Sequence, residues 1–408
     1  MYSTPVRLAA ASAALLSLLL TTIACSSEEA EPASSAAPAS VLEGEPVLVG
    51  FANTEGAGAA GGSPEVTRAA LAAERYVNTA GGIGGRPIQL VPCATTGAPE
   101  SSIACANTFV QKGVVAVIPG LDQGVDSMLP ILDEAAIPVV GVSALGPKAM
   151  TSPQVTLMSA PATQLMSASF KLLAEDGAQR AVYLVAGIPG AQTGFDLYIK
   201  PFAEQNGLDV SLATYAPSAP DYTTALAAAR ARNADTIVYS GDENGCTDFV
   251  NAAKRLGFTG RVLTGTCTQF VQKLGARAEG VQMLSLTWPT DARPSAPTDK
   301  QKDLDDFESA MAAADLASQQ SGVSMIGFAG VVNLARVLTT MTGPIDGPSV
   351  SAGLGALRDF DTFAGQKVTC DPKPLADSAS CGTGVLALTV TSDGSLEARG
   401  NDFYSVIG

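Results

Sequence analysis

The sequence predicts an α/β protein with two doubly wound parallel-sheet lobes joined by a hinge of several crossings. From Pro46 onward, short apolar segments alternate with amphipathic helical segments, which is typical of parallel strands covered by helices on both faces. This alternation occurs twice, with an interruption near residues 155–165. About 360 residues take part, which is more than one hydrophobic core usually organises.

The first run of segments predicts one lobe at residues 46–160 and the second run predicts another at 161–288. In the first lobe, strands are expected at 47–51, 88–91, 114–118 and 137–140, and helices at 64–77, 100–112 and 125–135. In the second lobe, strands are expected at 181–185, 210–214, 236–239, 261–263 and 282–286, and helices at 163–175, 194–205, 221–232 and 245–256.

Beyond a Pro-rich stretch at 288–290, the chain is expected to return to the first lobe. Residues 289–360 contain helical segments at 302–314, 325–341 and 349–357, and the first lobe is their natural packing partner. Residues 361–408 are assigned to the second lobe and end in a hairpin, 385–391 with 396–398. Trp288, the only tryptophan, lies at a crossing and is expected to pack in the core.

The N-terminus predicts export and lipid anchoring. In residues 1–24, Arg7 precedes a 13-residue apolar run that is too short to span a bilayer, as in a signal peptide. Small residues then lead into Cys25, which resembles the signal of bacterial lipoproteins, although Thr22 stands where leucine is usual. The resemblance implies a diacylated Cys25. The composition of residues 26–45, rich in Ser, Ala, Pro and Glu, predicts that residues 25–45 form a disordered tether. An ordinary secretory signal is the alternative.

Composition excludes several classes of function. A formal charge of −15 disfavours nucleic acid and anionic lipid as partners, and the absence of histidine excludes Ser-His-Asp triads and His-ligated metals. Besides Cys25 there are six cysteines, an even number that predicts disulfides in an exported protein. Sequence cannot choose among the pairings, but neighbour spacing favours Cys93 with Cys105, Cys246 with Cys267, and Cys370 with Cys381.

Residues 73–90 read AERYVNTAGGIGGRPIQL, and this segment resembles the signature of type I periplasmic binding proteins. These are the branched-chain amino acid and amide receptors of ABC importers, and the likeness covers residues 46–400. It implies two lobes that close over a small polar or amphipathic metabolite and deliver it to an ABC permease. It also implies a monomeric, extracytoplasmic receptor with no catalysis, cofactor or metal. A sensor of the same fold without a permease is an alternative.

A second motif favours a different class of protein. Residues 56–61, GAGAAG, match the GxGxxG fingerprint of dinucleotide-binding enzymes, which would make the protein a membrane-tethered oxidoreductase. However, three residues separate the preceding strand from Gly56, and Glu74 falls in a helix instead of at the end of the second strand. We therefore interpret these glycines as a flexible rim of the cleft.

Candidate ligand-binding residues follow the carboxyl ends of the predicted strands, where ligands of open parallel sheets bind. In the first lobe they are Thr54, Leu121, Asp122, Gln123, Ser143, Ala144 and Leu145, and in the second they are Thr193, Phe195, Asp242 and Glu243. The family resemblance implies that Ser143 grips a ligand carboxylate and that Phe195 forms an apolar wall. It also implies that Asp242 or Glu243 holds an ammonium group.

The carboxylates among these candidates also have alternative roles, and Asp122 departs from the family pattern. Asp122 would repel an anionic ligand group, and a solvated loop or a helix cap is its alternative role. Asp242 and Glu243 precede the predicted helix 245–256, so N-capping is the alternative for them.

Overall fold

The computed structural model describes residues 42–56, 62–188 and 190–405. Within them, two mainly parallel sheets form two lobes, which confirms the predicted fold class. The predicted signal peptide, Cys25, the tether as far as residue 41 and most of the glycine motif, 57–61, lie outside the described residues.

The first lobe contains a five-stranded parallel sheet of order β2-β1-β3-β4-β5. Its strands are β1 Val47–Thr54, β2 Ile88–Thr95, β3 Ala116–Ile118, β4 Val139–Gly141 and β5 Val155–Leu157. Its first helices are α1 Pro64–Thr79, α2 Pro99–Lys112 and α3 Leu129–Glu134. The expected helix 125–135 divides at Met128, and Val125–Ser127 forms a separate 3₁₀ turn. The short strand β5 lies where the sequence predicts only the join between lobes.

The signature segment binds α1 to the edge strand β2. Asn78 accepts the N–H of Ile88 and donates to its carbonyl, both at 2.9 Å, and Glu74 accepts the N–H of Leu90 at 2.8 Å. The turn between these elements needs glycine, because Gly82 has a φ of +65° and an added Cβ would lie 2.2 Å from the Arg86 carbonyl oxygen. The motif is therefore a structural clamp on the edge of the first sheet.

The second lobe has its own sheet, of order β14-β13-β10-β9-β8-β6-β7, with β15 paired to β13. The parallel strands are β6 Arg180–Ala186, β7 Asp209–Tyr215, β8 Thr236–Ser240, β9 Arg261–Thr264 and β10 Gln282–Ser285. The helices between them are α4 Ala162–Glu175, α5 Ala191–Gly194, α6 Lys200–Gln205, α7 Tyr222–Ala231, α8 Glu243–Arg255 and α9 Gln269–Leu274. The expected helix 194–205 contains a π-turn, Phe195–Ile199, just before Pro201, which has no N–H for the regular ladder.

The helices after the second crossing are α10 Thr298–Ala313, α11 Gly322–Thr340 and α12 Gly347–Gly355, and the first two pack on helix α1. Phe328 of α11 packs against Tyr76 of α1 and Phe307 of α10, with ring centroids 5.7 and 5.2 Å apart. Helix α11 is long and apolar enough to span a membrane, but 83% of its apolar window is buried in the protein. It is therefore the core helix of this lobe.

Five strands follow α12 in the described part of the chain. They are β11 Phe360–Asp361, β12 Lys367–Val368, β13 Gly384–Val390, β14 Leu396–Ala398 and β15 Tyr404–Ser405. The β13–β14 hairpin, with Val390 opposite Leu396, joins the second sheet antiparallel to β10. Cys381 donates its N–H to Leu157 of β5 at 2.8 Å, so the chain leaves the first lobe only at 381–384. This crossing is later than the expected boundary between residues 360 and 361, because residues 379–381 still form backbone hydrogen bonds with Met150 and Leu157 of the first lobe.

The hinge is organised around the tip of the β11–β12 hairpin. Trp288, 1% exposed, donates its backbone N–H to Ala364 at 2.6 Å and packs edge-on against Phe403, so its predicted core role is confirmed. Asp303 of α10 accepts the N–H of Ala364 at 2.8 Å and pairs with Arg336 of α11 at 2.7 Å. The hairpin tip is thus anchored to helices of the first lobe and also contacts Trp288, where the chain passes between the lobes.

The structure contains the three disulfides that neighbour spacing favours. The Cα atoms are 5.7 Å apart in Cys93–Cys105, 6.5 Å in Cys246–Cys267 and 4.6 Å in Cys370–Cys381. Each bond closes a loop of 11 to 21 residues, which in the chain-entropy model stabilises the fold by roughly 3 kcal/mol.

Candidate ligand-binding cleft

The carboxyl edge of the second sheet contacts the first lobe. Thr268, in the loop after β9, accepts the backbone N–H of Gly322 at the start of α11, with 2.9 Å between Oγ1 and N. Glu65, in the first turn of α1, is close enough to act electrostatically on Glu243 of the second lobe. The start of α8, where the sequence places Asp242 and Glu243, therefore borders the interface between the lobes.

Asp242 and Glu243 have different roles although they are adjacent. Asp242 is the N-cap of α8, and its side chain accepts the N–H of Gly245 at 2.7 Å. Glu243 turns into the protein and is only 7% exposed. Its Oε2 accepts the N–H groups of Thr268 and Gln269, at 2.9 and 3.0 Å. The capping interpretation therefore holds for Asp242, while Glu243 receives its partners from a segment 25 residues later.

The other carboxylate oxygen of Glu243 is buried and has no hydrogen-bond partner within the part of the chain that the structure describes. Burial raises the pKa of Glu243 to about 7, and the N–H groups of Gln269 and Thr268 offset part of that effect. Glu65 raises this pKa further and Lys273 lowers it. Because an unpaired buried carboxylate is costly, this oxygen is a strong acceptor for a cationic donor.

The two segments that hold Glu243 are also joined covalently. Cys246, one turn along α8 from Glu243, forms the disulfide with Cys267, which immediately precedes Thr268. The disulfide and the two N–H contacts fix the start of α8 against the start of α9. The position of the Glu243 carboxylate is therefore set by the fold before any ligand arrives.

In the first lobe, Asp122 is enclosed by internal donors. Its Oδ1 accepts the hydroxyls of Thr95 and Thr54, at 2.6 and 3.3 Å, and the N–H of Gly124 at 3.2 Å. Its Oδ2 accepts the hydroxyl of Ser102 at 2.8 Å. Asp122 is 1% exposed, so it is neither solvated nor a helix cap but organises its own loop. Thr54 is part of the same network.

The remaining first-lobe candidates differ in exposure. Ser143 is 6% exposed, and its hydroxyl has no hydrogen bond to any other described residue. Ala144 is buried, whereas Leu145 is 42% exposed and forms an apolar surface on the same loop. Leu121 is half-buried and Gln123 is exposed in the loop after β3. Ser143 thus retains a free hydroxyl for a ligand.

In the second lobe, Thr193 is exposed but Phe195 is not available as an exposed wall. Phe195 is 6% exposed and packs against Tyr183, with ring centroids 6.3 Å apart. The π-turn instead exposes the two residues between Asp196 and Ile199, Leu197 and Tyr198.

The structure reveals polar groups that the sequence reasoning missed. Gln164, in the first turn of α4, has a buried Oε1 without a partner among the described residues. Because α4 precedes β6, its first turn lies at the carboxyl edge of the sheet. Tyr239 forms hydrogen bonds to Tyr215 and Tyr222, at 3.3 and 3.2 Å, beneath the loop that leads to α8. Neither group was predictable from its position along the chain, because the burial of the Gln164 oxygen and the tyrosine partners of Tyr239 depend on the tertiary structure.

A large open groove lies elsewhere, at the amino ends of the second-sheet strands. It has a volume of about 940 Å³ and is lined by residues that include Arg230, Asp235, Lys254, Arg261 and Glu279. Its cations bind backbone carbonyls, as when Lys254 contacts the Glu279 carbonyl at 2.5 Å. Parallel sheets bind ligands at the opposite edge, so this groove is not part of the cleft.

Comparison with known proteins agrees with this architecture. The family model described as periplasmic binding protein matches residues 46–377. The chain belongs to the periplasmic binding protein family. No curated protein matches this periplasmic binding protein by sequence.

Solved structures share the fold of this periplasmic binding protein at low sequence identity. A possible leucine/isoleucine/valine-binding protein of Rhodopirellula baltica has a TM-score of 0.68 at 17% identity, covering 90% of this chain and 98% of its own. A substrate-binding periplasmic protein of Ralstonia solanacearum has a TM-score of 0.70 at 18% identity, covering 87% and 100%. LivJ of Streptococcus pneumoniae, solved with isoleucine, has a TM-score of 0.66 at 17% identity, covering 87% and 99%.

Proposed function

We propose that this periplasmic binding protein is an extracytoplasmic receptor for a small molecule that carries a protonated amine. In this proposal the ligand lies between the lobes, and its ammonium group binds the free Oε1 of Glu243. The buried, unpartnered oxygen of Glu243 is the observation that carries the proposal.

The ligand class follows from the groups that remain free. The hydroxyl of Ser143 and the amide oxygen of Gln164 can bind polar groups, and Leu145 provides an apolar contact. Asp122 and Thr54 are occupied by internal hydrogen bonds, so they do not take part. An amino acid, an amino amide or a related amphipathic amine fits this set. Neighbours of the same fold solved with isoleucine and with leucine support the choice.

The proposal includes delivery and anchoring. The receptor passes its ligand to an ABC permease. A diacylated Cys25 retains the receptor at the membrane, because two acyl chains anchor a protein stably whereas one does not. The acidic surface does not itself attract anionic lipid, which is consistent with a covalent anchor.

A ligand screen tests the proposal directly. Thermal shift is measured against amino acids, amino amides and amines, each paired with an analogue in which a hydroxyl replaces the amine. A ligand at about 100 times its dissociation constant stabilises the protein by about 2.7 kcal/mol, which is readily detected. We expect hits only among amines, and we expect Glu243→Gln to abolish them while Asp242→Asn retains them. Hits that are indifferent to the amine would refute the proposal.

A further inference from the structure

Thr268 connects the candidate binding carboxylate to the opposite lobe. It lies in the loop between β9 and α9 and is 1% exposed. Its backbone N–H donates to Oε2 of Glu243, and its Oγ1 accepts the N–H of Gly322, each at 2.9 Å. Glu243 belongs to the second lobe, whereas Gly322 begins α11 of the first. One residue therefore touches both the site and the partner lobe.

The contact with Gly322 satisfies a helix end. The first N–H groups of a helix have no partner within the helix. In α11, Ser321 caps the N–H of Ser324 at 3.1 Å, and Thr268 supplies the acceptor for Gly322 from across the interface. Gly322 is buried, so without the Thr268 hydroxyl its N–H would be shielded from water and would lack an acceptor whenever the lobes meet.

Glycine at position 322 is required by how closely the lobes approach. An added Cβ would lie 2.6 Å from the carbonyl oxygen of Thr266 and 3.3 Å from Cγ2 of Thr268. A neighbouring backbone atom at that distance has to move. Gly322 lies within a helix, where alanine is favourable, so Gly322→Ala obstructs the contact between lobes without opposing the fold.

We propose that Thr268 is a positioning residue that couples the occupancy of Glu243 to closure of the lobes. This inference rests on the proposed function. The N–H contacts and the Cys246–Cys267 disulfide hold Glu243 and the Thr268 loop together as one rigid unit. A ligand ammonium that draws Glu243 toward the first lobe therefore also brings the Thr268 hydroxyl to the N–H of Gly322. Because the contact exists only when the lobes meet, it favours the closed form.

The first experiment needs no ligand and uses the full chain. Small-angle scattering reports the separation of the lobes, and hydrogen exchange reports protection of the Gly322 amide, in wild type, Thr268→Val, Thr268→Ser and Gly322→Ala. We expect Thr268→Val and Gly322→Ala to expand the protein and to expose the Gly322 amide to exchange. Serine keeps the hydroxyl and should restore the wild-type result. Wild-type compactness and protection in Thr268→Val would overturn the inference.

The second experiment uses the best amine from the screen. Thr268→Val should weaken binding about tenfold to a hundredfold, mainly through faster dissociation, and Thr268→Ser should not. Separation of the lobes also hydrates Glu243, so the pH midpoint of binding should fall in Thr268→Val. A merely structural role would lower the melting temperature without moving that midpoint, and this result would overturn the inference. If wild type binds no amine, the proposed function fails while the ligand-free experiment still decides the role of Thr268.

Discussion

Replacing Glu243 by glutamine should change stability and ligand affinity in opposite directions. Glutamine has nearly the same shape, and its oxygen can accept the N–H groups of Thr268 and Gln269 that Oε2 accepts now. Its amide group then takes the place of the unpartnered Oε1. The substitution therefore removes the buried charge and preserves the contacts that hold the loop.

The size of the stability effect follows from the pKa of Glu243. Burial raises it from 4.5 to about 7, a difference of about 2.5. At about 1.36 kcal/mol for each pKa unit, the ionised side chain costs the fold about 3 kcal/mol. Because folding raises the pKa of Glu243, the protonated side chain is the form that stabilises the fold. Its contribution is fully present below pH 4.5 and is lost as pH rises through about 7. Glu243→Gln should abolish that loss.

Urea denaturation between pH 4.5 and pH 8 measures this effect. Without ligand, wild type should lose stability relative to Glu243→Gln across that range, and the two should be equally stable near pH 4.5. Asp242→Asn is the matched control, because asparagine is an equally good N-cap and Asp242 is exposed. It should keep the wild-type pH dependence. Identical slopes in wild type and Glu243→Gln would refute the reasoning.

Calorimetry measures the opposite effect on binding. Losing a buried charge-assisted contact costs about 2 to 5 kcal/mol, so the affinity of Glu243→Gln for an amine should fall at least about thirtyfold. In wild type, affinity should rise as pH passes through about 7, because the carboxylate must be ionised to bind the ammonium. Near pH 6, binding should release a proton, which buffers of different ionisation enthalpy reveal. Unchanged affinity in Glu243→Gln would show that the site lies elsewhere.

Three further predictions test other parts of the molecule. Asp122→Ala should lower the free energy of unfolding by about 1 to 3 kcal/mol in urea, because four donors lose a buried acceptor; wild-type stability would contradict its internal role. The fluorescence of Trp288, the only tryptophan, should be blue-shifted in the folded protein and should change on ligand addition, because it lies buried at a crossing. Cys25→Ala should release the protein from membranes on fractionation, and a variant that remains bound would contradict lipid anchoring.

The sequence by itself determined the layers of the fold. Strands that are apolar on both faces can only be buried between helices, so their alternation with amphipathic segments predicts two parallel sheets. The signature at 73–90 is equally local, since Glu74 and Asn78 bind the strand that follows their own helix. The disulfide pairs were predictable because each joins cysteines that are close in sequence.

The details that the sequence missed depend on residues far away in the chain. Strand β5 is too short to recognise alone, and it is held in place by residues 379–381, more than 200 positions later. That same contact moves the last crossing to 381–384. A three-residue strand has no periodicity of its own, so only its partners define it.

Only the tertiary structure separated the roles of Asp242 and Glu243. Both are acidic, adjacent and at the start of a helix, and local physics favours either one as its cap. The loop that contains Thr268 determines which of the two caps α8. Its N–H groups donate to Glu243, so Asp242 is left to cap the helix. Asp122 is the parallel case, since hydroxyls from three other segments occupy its carboxylate. The pKa and availability of a carboxylate depend on burial and donors that only folding brings together.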